Sequence, residues 1–548
     1  MPRGRKRAQR EATEDHEGDT AIAESFQAKR TNSSTKRAYA SKIRVMTAWL
    51  CKSYPDVVSH DESIQLPLPK DAILGFFGHL CKQAHQCDKD GESTSHQPMS
   101  VSCVKGYRSA LVDLYRNRKL EIDPNVDGEL RRVLDGYDKT INSLKQRGIM
   151  DINEGKRHLK SKGYNLLATK LMTATLDSSG QTWSNVVFAW SFFVIVWNLM
   201  SRSDSVEKIM LHHLDWVEDA LSIEEQGHKG DQTGADKFGK HVYANPYEPW
   251  KCPILALSVL LFTYPDRLDG KHQLFVGTDN KGRFGRTLRR ILMSLSDHEL
   301  QALGCDAQDI GTHSLRKGSS TYALAQINGP TPVSVYLRMG QSLGRLKDRY
   351  IHFGEGADQL CGRMICGLPF DSERFTVLPP HFDPSVCALL TNSFWRDLVS
   401  GYELYPRAAQ SILPYLLASI IHHEQYLREN LDSKHPIFTS RLFSANPLLN
   451  CLRNSTFIAI AIAKRVADLT AEIEKLKSDL KSLPALIADK VTVQLREIFA
   501  IDGVLPLTLR DVSSMIQSLR NDLMSDIRQR NEPNVCEPTA NVAIDAPT

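Results

Sequence analysis

Apolar residues return every three or four positions soon after residue 31. In TNSSTKRAYASKIRVMTAWLCKSY the stripe is Tyr39, Ile43, Met46 and Leu50. That period predicts an amphipathic helix, with Ser33, Ser34 or Thr35 as its N-cap. LPKDAILGFFGHLCKQ predicts a second helix, with Asp71 in its first turn. HQPMSVSCVKGYRSALVDLYRNRK predicts a third, its stripe formed by Val104, Tyr107, Leu111 and Leu114. ELRRVLDGYDKTINSLKQ predicts a fourth. These four helices make one all-α domain over residues 31–146, an ordinary domain size.

The period then breaks. DINEGKRHLKSKGYN is polar and basic, and residues 147–163 read as a linker. Over 164–375 helical and β-prone pieces alternate. VVFAWSFFVIVWNLM, Val186 to Met200, is the longest apolar run. It is short for a bilayer span and is interrupted by Ser191 and Asn198, so it predicts a buried core helix and no membrane partner. VEDALSIEEQGHKGDQTGADKFGKHVYANPYEP has turn residues and no helical period, which predicts a small β-hairpin with a long loop. CPILALSVLLFTYP and RFGRTLRRILMSLS return to helix.

Residues 376–530 read as a further helical region. Ile462, Val466, Leu469, Ile473, Leu476, Leu480, Leu483 and Ile487 are spaced alternately four and three apart. This heptad seam over 462–487 fits either packing within the chain or a contact between two copies. Pro484 should end or kink it. Residues 1–30 and 531–548 read as disordered tails. The fold class expected is mainly α, with a small antiparallel sheet in the second domain.

Composition is that of a globular chain, 41% hydrophobic and 24% charged over 548 residues. Length predicts two or three domains. Eleven cysteines show no CxxC pair, which predicts reduced thiols and no zinc site. The N-terminus is basic and polar, unlike a signal peptide. PRGRKRAQR carries five basic residues in nine and reads as a nuclear address or a phosphate-binding arm. Net charge is only +4, but residues 28–163 hold 24 basic against 16 acidic residues. A basic first third suggests a polyanionic partner. Lys36, Arg37, Lys42, Arg44, Lys105 and Arg108 are the residues expected to contact it.

Tyr350 closes the basic segment MGQSLGRLKDRYIHF. A phenol, with a pKa of about 10, attacks a phosphodiester poorly without help. Cations must hold the non-bridging oxygens, an acid must protonate the leaving oxygen, and the groups must be aligned. Arginine suits the first task, lysine or histidine the second. Arg202 lies in LMSRSDSVEK, Lys229 in EEQGHKGDQ, His313 and Arg316 in GTHSLRKGSSTYAL, and Gln341 in RMGQSLG. At i, i+3 on a helix, His313 and Arg316 share a face. Each has a plain structural alternative. Arg202 could cap a helix or pair with Asp204. Lys229 could be a solvated loop lysine, with Lys237 and Lys240 nearby. His313 could be a core histidine. Tyr336 is a rival tyrosine, but it reads as part of an apolar helix face.

The ordered set Arg202, Lys229, His313-x-x-Arg316, Gln341, Tyr350 resembles the tyrosine recombinase family of phage-type integrases. The phrases GTHSLRKGSSTYAL, SLGRLKDRYI and KHVYANP are similar to the Crypton-type recombinases of eukaryotic mobile elements. The ST-x-R-x-Y start and the YRSAL helix resemble the family's core-binding domain. The likeness covers roughly residues 31–375. It implies a core-binding domain over 31–146 and a catalytic domain over 164–375, closing as two lobes around double-stranded DNA. It also implies cleavage and rejoining of DNA through a 3′-phosphotyrosine on Tyr350, without cofactor or metal. Arg202 and Arg316 would hold the phosphate, His313 and Gln341 would add hydrogen bonds, and Lys229 would protonate the leaving group. Four protomers would assemble on two duplexes in the nucleus. The family usually has His or Trp where Gln341 stands, and its acid just after the first arginine is not evident here. A domesticated DNA-binding protein that keeps the fold, with weak or no catalysis, is the alternative. A scaffold built on the C-terminal helices is a third reading.

Overall fold

The computed structural model describes residues 16–29, 31–90, 97–150, 155–176, 181–225, 239–266, 272–341 and 354–443, with scattered residues between 452 and 521. The chain divides into two units, Met1–Gly155 and Lys156–Thr548. It is mostly helical with a small antiparallel sheet, as the pattern predicts.

The first unit holds α1 (His16–Lys29), α2 (Ser33–Ser53), α3 (Lys70–Asp90), α4 (Val101–Asn117) and α5 (Pro124–Gln146). Helix α1 corrects the expectation of disorder up to residue 30. Ala21, Ala23 and Ala28 favour helix, yet Ile22 and Phe26 remain exposed. Helices α2 and α4 pack together, as do α3 and α5. The cap of α2 is Asn32, one residue before the expected set, and its side chain makes no capping bond. Helix α5 begins five residues earlier than its apolar stripe suggested. Asp123 accepts from the Asn125 and Val126 N–H groups and Pro124 occupies the first turn. Leu130, Leu134, Tyr137, Ile141 and Leu144 of α5 face the core.

The second unit begins with chain that sequence reading took for linker. Leu159 is buried, and the Arg157 and Leu159 N–H groups donate to Asp309 O (2.9 Å) and Ser314 O (3.0 Å). Residues 156–160 are therefore laid along the second core. An apolar residue in a polar run, unremarkable by period, is what anchors them. Then come α6 (Ser161–Met172) and α7 (Trp183–Asn198). Helix α7 is apolar all round and buried from Val186 to Asn198, which is how such a helix must sit. Its polar interruptions bond to backbone: Ser191 Oγ donates to Ala256 O at 2.6 Å and Asn198 Nδ2 to Val194 O at 2.9 Å. Among the described residues no helix is long and apolar enough to cross a membrane.

After the single turn α8 (Ser203–Val206) comes a three-stranded antiparallel sheet in the order β1 (Leu214–Val217), β2 (Ala220–Glu224), β3 (Gly239–Val242). The expected hairpin is present, with one strand added. Its long loop, 226–238, lies outside the described residues. Helices α9 (Pro253–Thr263), α10 (Asn280–Met293), α11 (Asp297–Leu303), α12 (Thr312–Leu324), α13 (Pro332–Arg338) and α14 (Glu355–Ile365) follow. Of these, α9, α10, α12 and α14 pack against α7.

Residues beyond 375 do not form a separate layer. Strand β4 (His381–Phe382), α15 (Pro384–Cys387), α16 (Asn392–Leu398), α17 (Arg407–His422) and α18 (Glu424–Asn430) lead to β5 (Thr456–Phe457), which pairs with β4. Helix α17 packs on α9 and β1, and Tyr415 stacks on Trp216 at 3.8 Å between ring centroids. Leu413, Leu416, Leu417 and Ile420 join the same core as α7. Of the heptad seam, only Ile473 and Leu476 are described, both exposed on a short helical stretch. The other seam positions lie outside the described residues.

Two predictions follow from this packing. A Cβ on Gly318 of α12 would sit 2.2 Å from Leu159 O and 2.8 Å from Trp197, so Gly318→Ala should cost roughly 3 kcal/mol in urea unfolding. His435 is buried against Trp183, and its Nδ1 accepts from the Ile437 N–H. Burial lowers its pKa to about 4. The unfolded chain binds this proton below 6.5 and the folded chain does not, so stability is full above that pH and falls toward pH 4. Moving from about pH 7 to about pH 5 should remove roughly 2 kcal/mol through this residue, and His435→Asn should lose that share of the pH dependence.

Candidate active site

The site is built around the C-terminal end of α7. A helix end leaves its last carbonyls without partners, which is tolerable in water but not in a core. This end is buried: Asn198, Leu199, Met200 and Ser201 are all 1% exposed or less. Two buried cations meet it. Lys240 of β3 donates to Leu199 O (3.2 Å) and Ser201 Oγ (2.8 Å). Arg338, the last residue of α13, donates to Asn198 O (2.9 Å). Cations at a helix C-terminus also sit favourably in its dipole.

Each cation has its own anion. Glu225 accepts from Lys240 at 2.9 Å, and both side chains are more than nine-tenths buried. Asp358 of α14 pairs with Arg338, and both are fully buried. Asp358 Oδ2 also accepts from the His241 backbone N–H (2.8 Å) and lies 2.9 Å from His241 Nδ1. Arg338 donates onward to His241 O at 2.8 Å. Gly362 lets α14 approach this strand, since a Cβ there would meet His241 O at 2.5 Å. Pairing the charges is what makes their burial tolerable.

From this end the chain turns sharply. Met200 has φ 51°, a conformation that L side chains rarely adopt, at a strain of roughly 1–3 kcal/mol. Two residues later Arg202 stands at the N-cap of α8. It neither caps that turn nor pairs with Asp204. Among the described residues its side chain has no hydrogen bond or ion pair. Asp204 is taken by Lys281 Nζ at 2.6 Å, and Glu207 accepts the Lys281 backbone N–H at 3.0 Å. The two acids that follow Arg202 therefore hold the start of α10.

Arg316 and His313 come from α12, one turn apart. Arg316 is 8% exposed and donates to Met339 O at 2.7 Å. Burial first, and then the charge of Arg202, lower its pKa to about 10, with Glu225 acting the other way. His313 is exposed, so it is not a core histidine. Partial desolvation and then the cations Lys281, Arg202 and Lys317 hold its pKa below the ordinary histidine value, against Asp204. The imidazole is thus neutral at neutral pH, able to donate one hydrogen bond and accept another. The charge of Arg202 acts on both groups, lowering the pKa of each.

Gln341 lies two residues beyond Met339. It is exposed, and its backbone N–H closes on Tyr336 O at 2.9 Å after Gly340 turns at φ 63°. Lys229 and Tyr350 lie outside the described residues. The rival Tyr336 is 42% exposed, beside exposed Val333 on α13, so the face it shares is apolar but not packed.

The basic residues of the first unit divide into two sets. Lys36, Arg37 and Arg44 are exposed on α2. Lys42 is half-buried, 4.3 Å from the Tyr107 ring centroid and bonded to Cys103 O. Lys105 pairs with Asp138 at 2.8 Å. Arg108 grips both oxygens of Asp127 at 2.6 and 2.8 Å. Sequence reading marked Arg108 by charge alone; here it ties α4 to α5.

Lys240, Glu225, Arg338, Asp358, His241 and Lys281 were not picked out as site residues. A signal existed for Arg338, an arginine in the otherwise apolar PVSVYLRMG. A charge on an apolar stripe marks a buried pair. The partners Glu225 and Asp358 have no such mark, being separated by 15 and 20 residues of chain from the cations they meet.

No family model matches the chain, and no curated protein matches it. Among solved structures it is similar to the XerH site-specific recombinase bound to difH substrate, a pre-cleavage complex. The identity is 13% and the TM-score 0.32, over 51% of this chain and 66% of that one, just under two thirds of its length. It is similar to the Flpe–Holliday junction complex at 9% identity and TM-score 0.32, over 74% of this chain and 99% of that one. It is also similar to Ndc10, a platform for inner kinetochore assembly in budding yeast, at 14% identity and TM-score 0.26, over 78% and 92%. Likenesses of this size do not establish a common fold or a shared activity.

Arg108→Ala should lower stability by about 2 kcal/mol in urea unfolding, because it leaves a half-buried carboxylate short of donors. Arg37→Ala, at an exposed position, should leave the unfolding midpoint unchanged.

Proposed function

We propose that this protein cleaves and rejoins double-stranded DNA through a covalent 3′-phosphotyrosine on Tyr350, as a tyrosine recombinase. The observation that carries the reading is that Arg202, with no hydrogen bond or ion pair among the described residues, exerts its charge on both Arg316 and His313. An unpaired guanidinium next to a second, desolvated one attracts an anion of phosphate size. In this reading the two arginines hold the non-bridging oxygens, and neutral His313 and the amide of Gln341 add hydrogen bonds. Lys229 donates the proton that the 5′-oxygen takes as it leaves. Tyr350 forms the new P–O bond as the old one breaks, its phenolic proton passing to water, from which Lys229 regains the one it gave, so bond energy is conserved in the ester and no nucleotide is consumed.

Gln341 stands where the resembled family usually has His or Trp. An amide can donate a hydrogen bond to phosphate but cannot relay a proton, which fits a slower enzyme. The Crypton-type phrases and the basic tail favour a mobile-element origin and a nuclear site of action. Exposed Lys36, Arg37 and Arg44 supply phosphate contacts from the first unit. Assembly of four protomers on two duplexes is part of the same proposal, with residues 462–487 as one surface that could join copies.

The test is a nicked suicide duplex carrying a sequence selected from random duplexes by binding to the purified protein. Wild type should give a protein–DNA adduct that resists denaturation and maps to Tyr350, and Tyr350→Phe should give none. Equal trapping by the two proteins would sink the enzyme reading; binding without trapping by either would favour a non-catalytic DNA-binding protein. Arg37→Ala and Arg44→Ala should each weaken duplex binding and reduce its salt slope by about one.

A further inference from the structure

The two guanidiniums of the site repel each other, and the acids nearest Arg202 in sequence are both engaged by Lys281. What balances and places the arginine pair comes from elsewhere in the chain. We propose that Lys240 and Glu225 are positioning residues for the phosphate pocket: a buried ion pair from the β2–β3 hairpin that fixes the turn carrying Arg202 and supplies the counter-charge that Arg316 lacks. This rests on the proposed phosphate-binding role of Arg202 and Arg316.

Geometry supports it at two points, and charge at a third. Lys240 holds Leu199 O and Ser201 Oγ at once, so it clamps the strained turn at Met200 from which Arg202 emerges. Glu225 is the anion whose field reaches Arg316. Glu225 also has an oxygen, Oε1, that is buried and among the described residues has no hydrogen-bond partner. A buried carboxylate oxygen left bare is unfavourable, and it persists where neighbouring positive charge offsets it.

The charge count suits the chemistry. Arg202, Arg316, Lys240 and Lys281 against Glu225, Asp204 and Glu207 leave one positive charge, while Arg338 and Asp358 cancel. A phosphodiester carries one negative charge and the five-coordinate state formed on attack carries two. The pocket therefore gains more from the transition state than from the ground state, which is the condition for catalysis.

Lys240 faces Glu225, Arg316 and Arg338, with Cys361 of α14 also within its field. Burial lowers its pKa and Glu225 opposes that, while Arg338 and Arg316 lower it further. Removing the carboxylate should thus make Lys240 lose its proton at lower pH.

The experiment uses the full chain, wild type, Lys240→Met/Glu225→Gln and Glu225→Gln. The first readout is protection of Arg202 from phenylglyoxal by orthovanadate, followed by mass spectrometry. It needs no catalysis. The double variant removes both charges together but leaves the buried Leu199 O without its donor, so it should still fold, with a melting temperature lowered by a few degrees, yet need about tenfold or more vanadate for protection. The second readout is single-turnover adduct formation on the suicide duplex across pH. Glu225→Gln should move the alkaline limb down by at least about one pH unit, a shift that a merely structural role would not give. Vanadate protection within about twofold of wild type in both variants, an unmoved alkaline limb, or no saturable protection of wild-type Arg202 each overturns the proposal. If wild type shows vanadate protection that the variants lose, but forms no adduct, the positioning role stands and the recombinase reading falls.

Discussion

The structure of the second unit depends on how one helix ends. Helix α7 is apolar on every side, so the core closes over it completely, its C-terminal carbonyls included. Those carbonyls cannot be given to water. Lys240 and Arg338 take them instead, and two cations in a core require two anions, Glu225 and Asp358. The sheet, α13 and α14 are thereby tied to one point. Arg202 emerges two residues beyond Met200, and among the described residues it has no ion pair.

This arrangement separates support from function by charge pairing. Arg338, Lys240 and Lys281 each meet a carboxylate, and each holds an element in place. Among the described residues Arg202 meets none. Arg316 meets a carbonyl, Met339 O, on the segment that leads to Gln341. In a region so rich in paired ions, a guanidinium without a partner is conspicuous, because the nearby acids, Asp204 and Glu207, were available and are engaged elsewhere. The turn at Met200, with its positive φ, is bracketed by the bonds from buried Lys240 to Leu199 O and Ser201 Oγ.

The first unit obeys simpler rules. Its four main helices bury one stripe each, and their caps and first-turn residues mark where they begin. There the charged residues on the surface divide by whether a carboxylate lies one helix away, which decides that Arg108 braces the bundle while Arg37 and Arg44 stay free.

Helix period, the alternation of apolar and polar residues, and the turn residues of the hairpin act over a few positions. The amino-acid sequence alone therefore determined the four-helix first unit, the buried run of α7, the hairpin, and His313 and Arg316 on one helix face. The order of Arg202, His313, Arg316 and Gln341 was legible for the same reason, being a matter of residue type and spacing. Tertiary structure decided the rest. It laid 156–160 on the second core through Leu159, and drew α17 into that core rather than leaving a separate C-terminal layer. It diverted Asp204 and Glu207 to Lys281, and chose Glu225 and Asp358 as counter-ions for Lys240 and Arg338. These are contacts between residues far apart in the chain, set by which helix ends and charges the packed core encloses, and no local pattern encodes which distant carboxylate will be there.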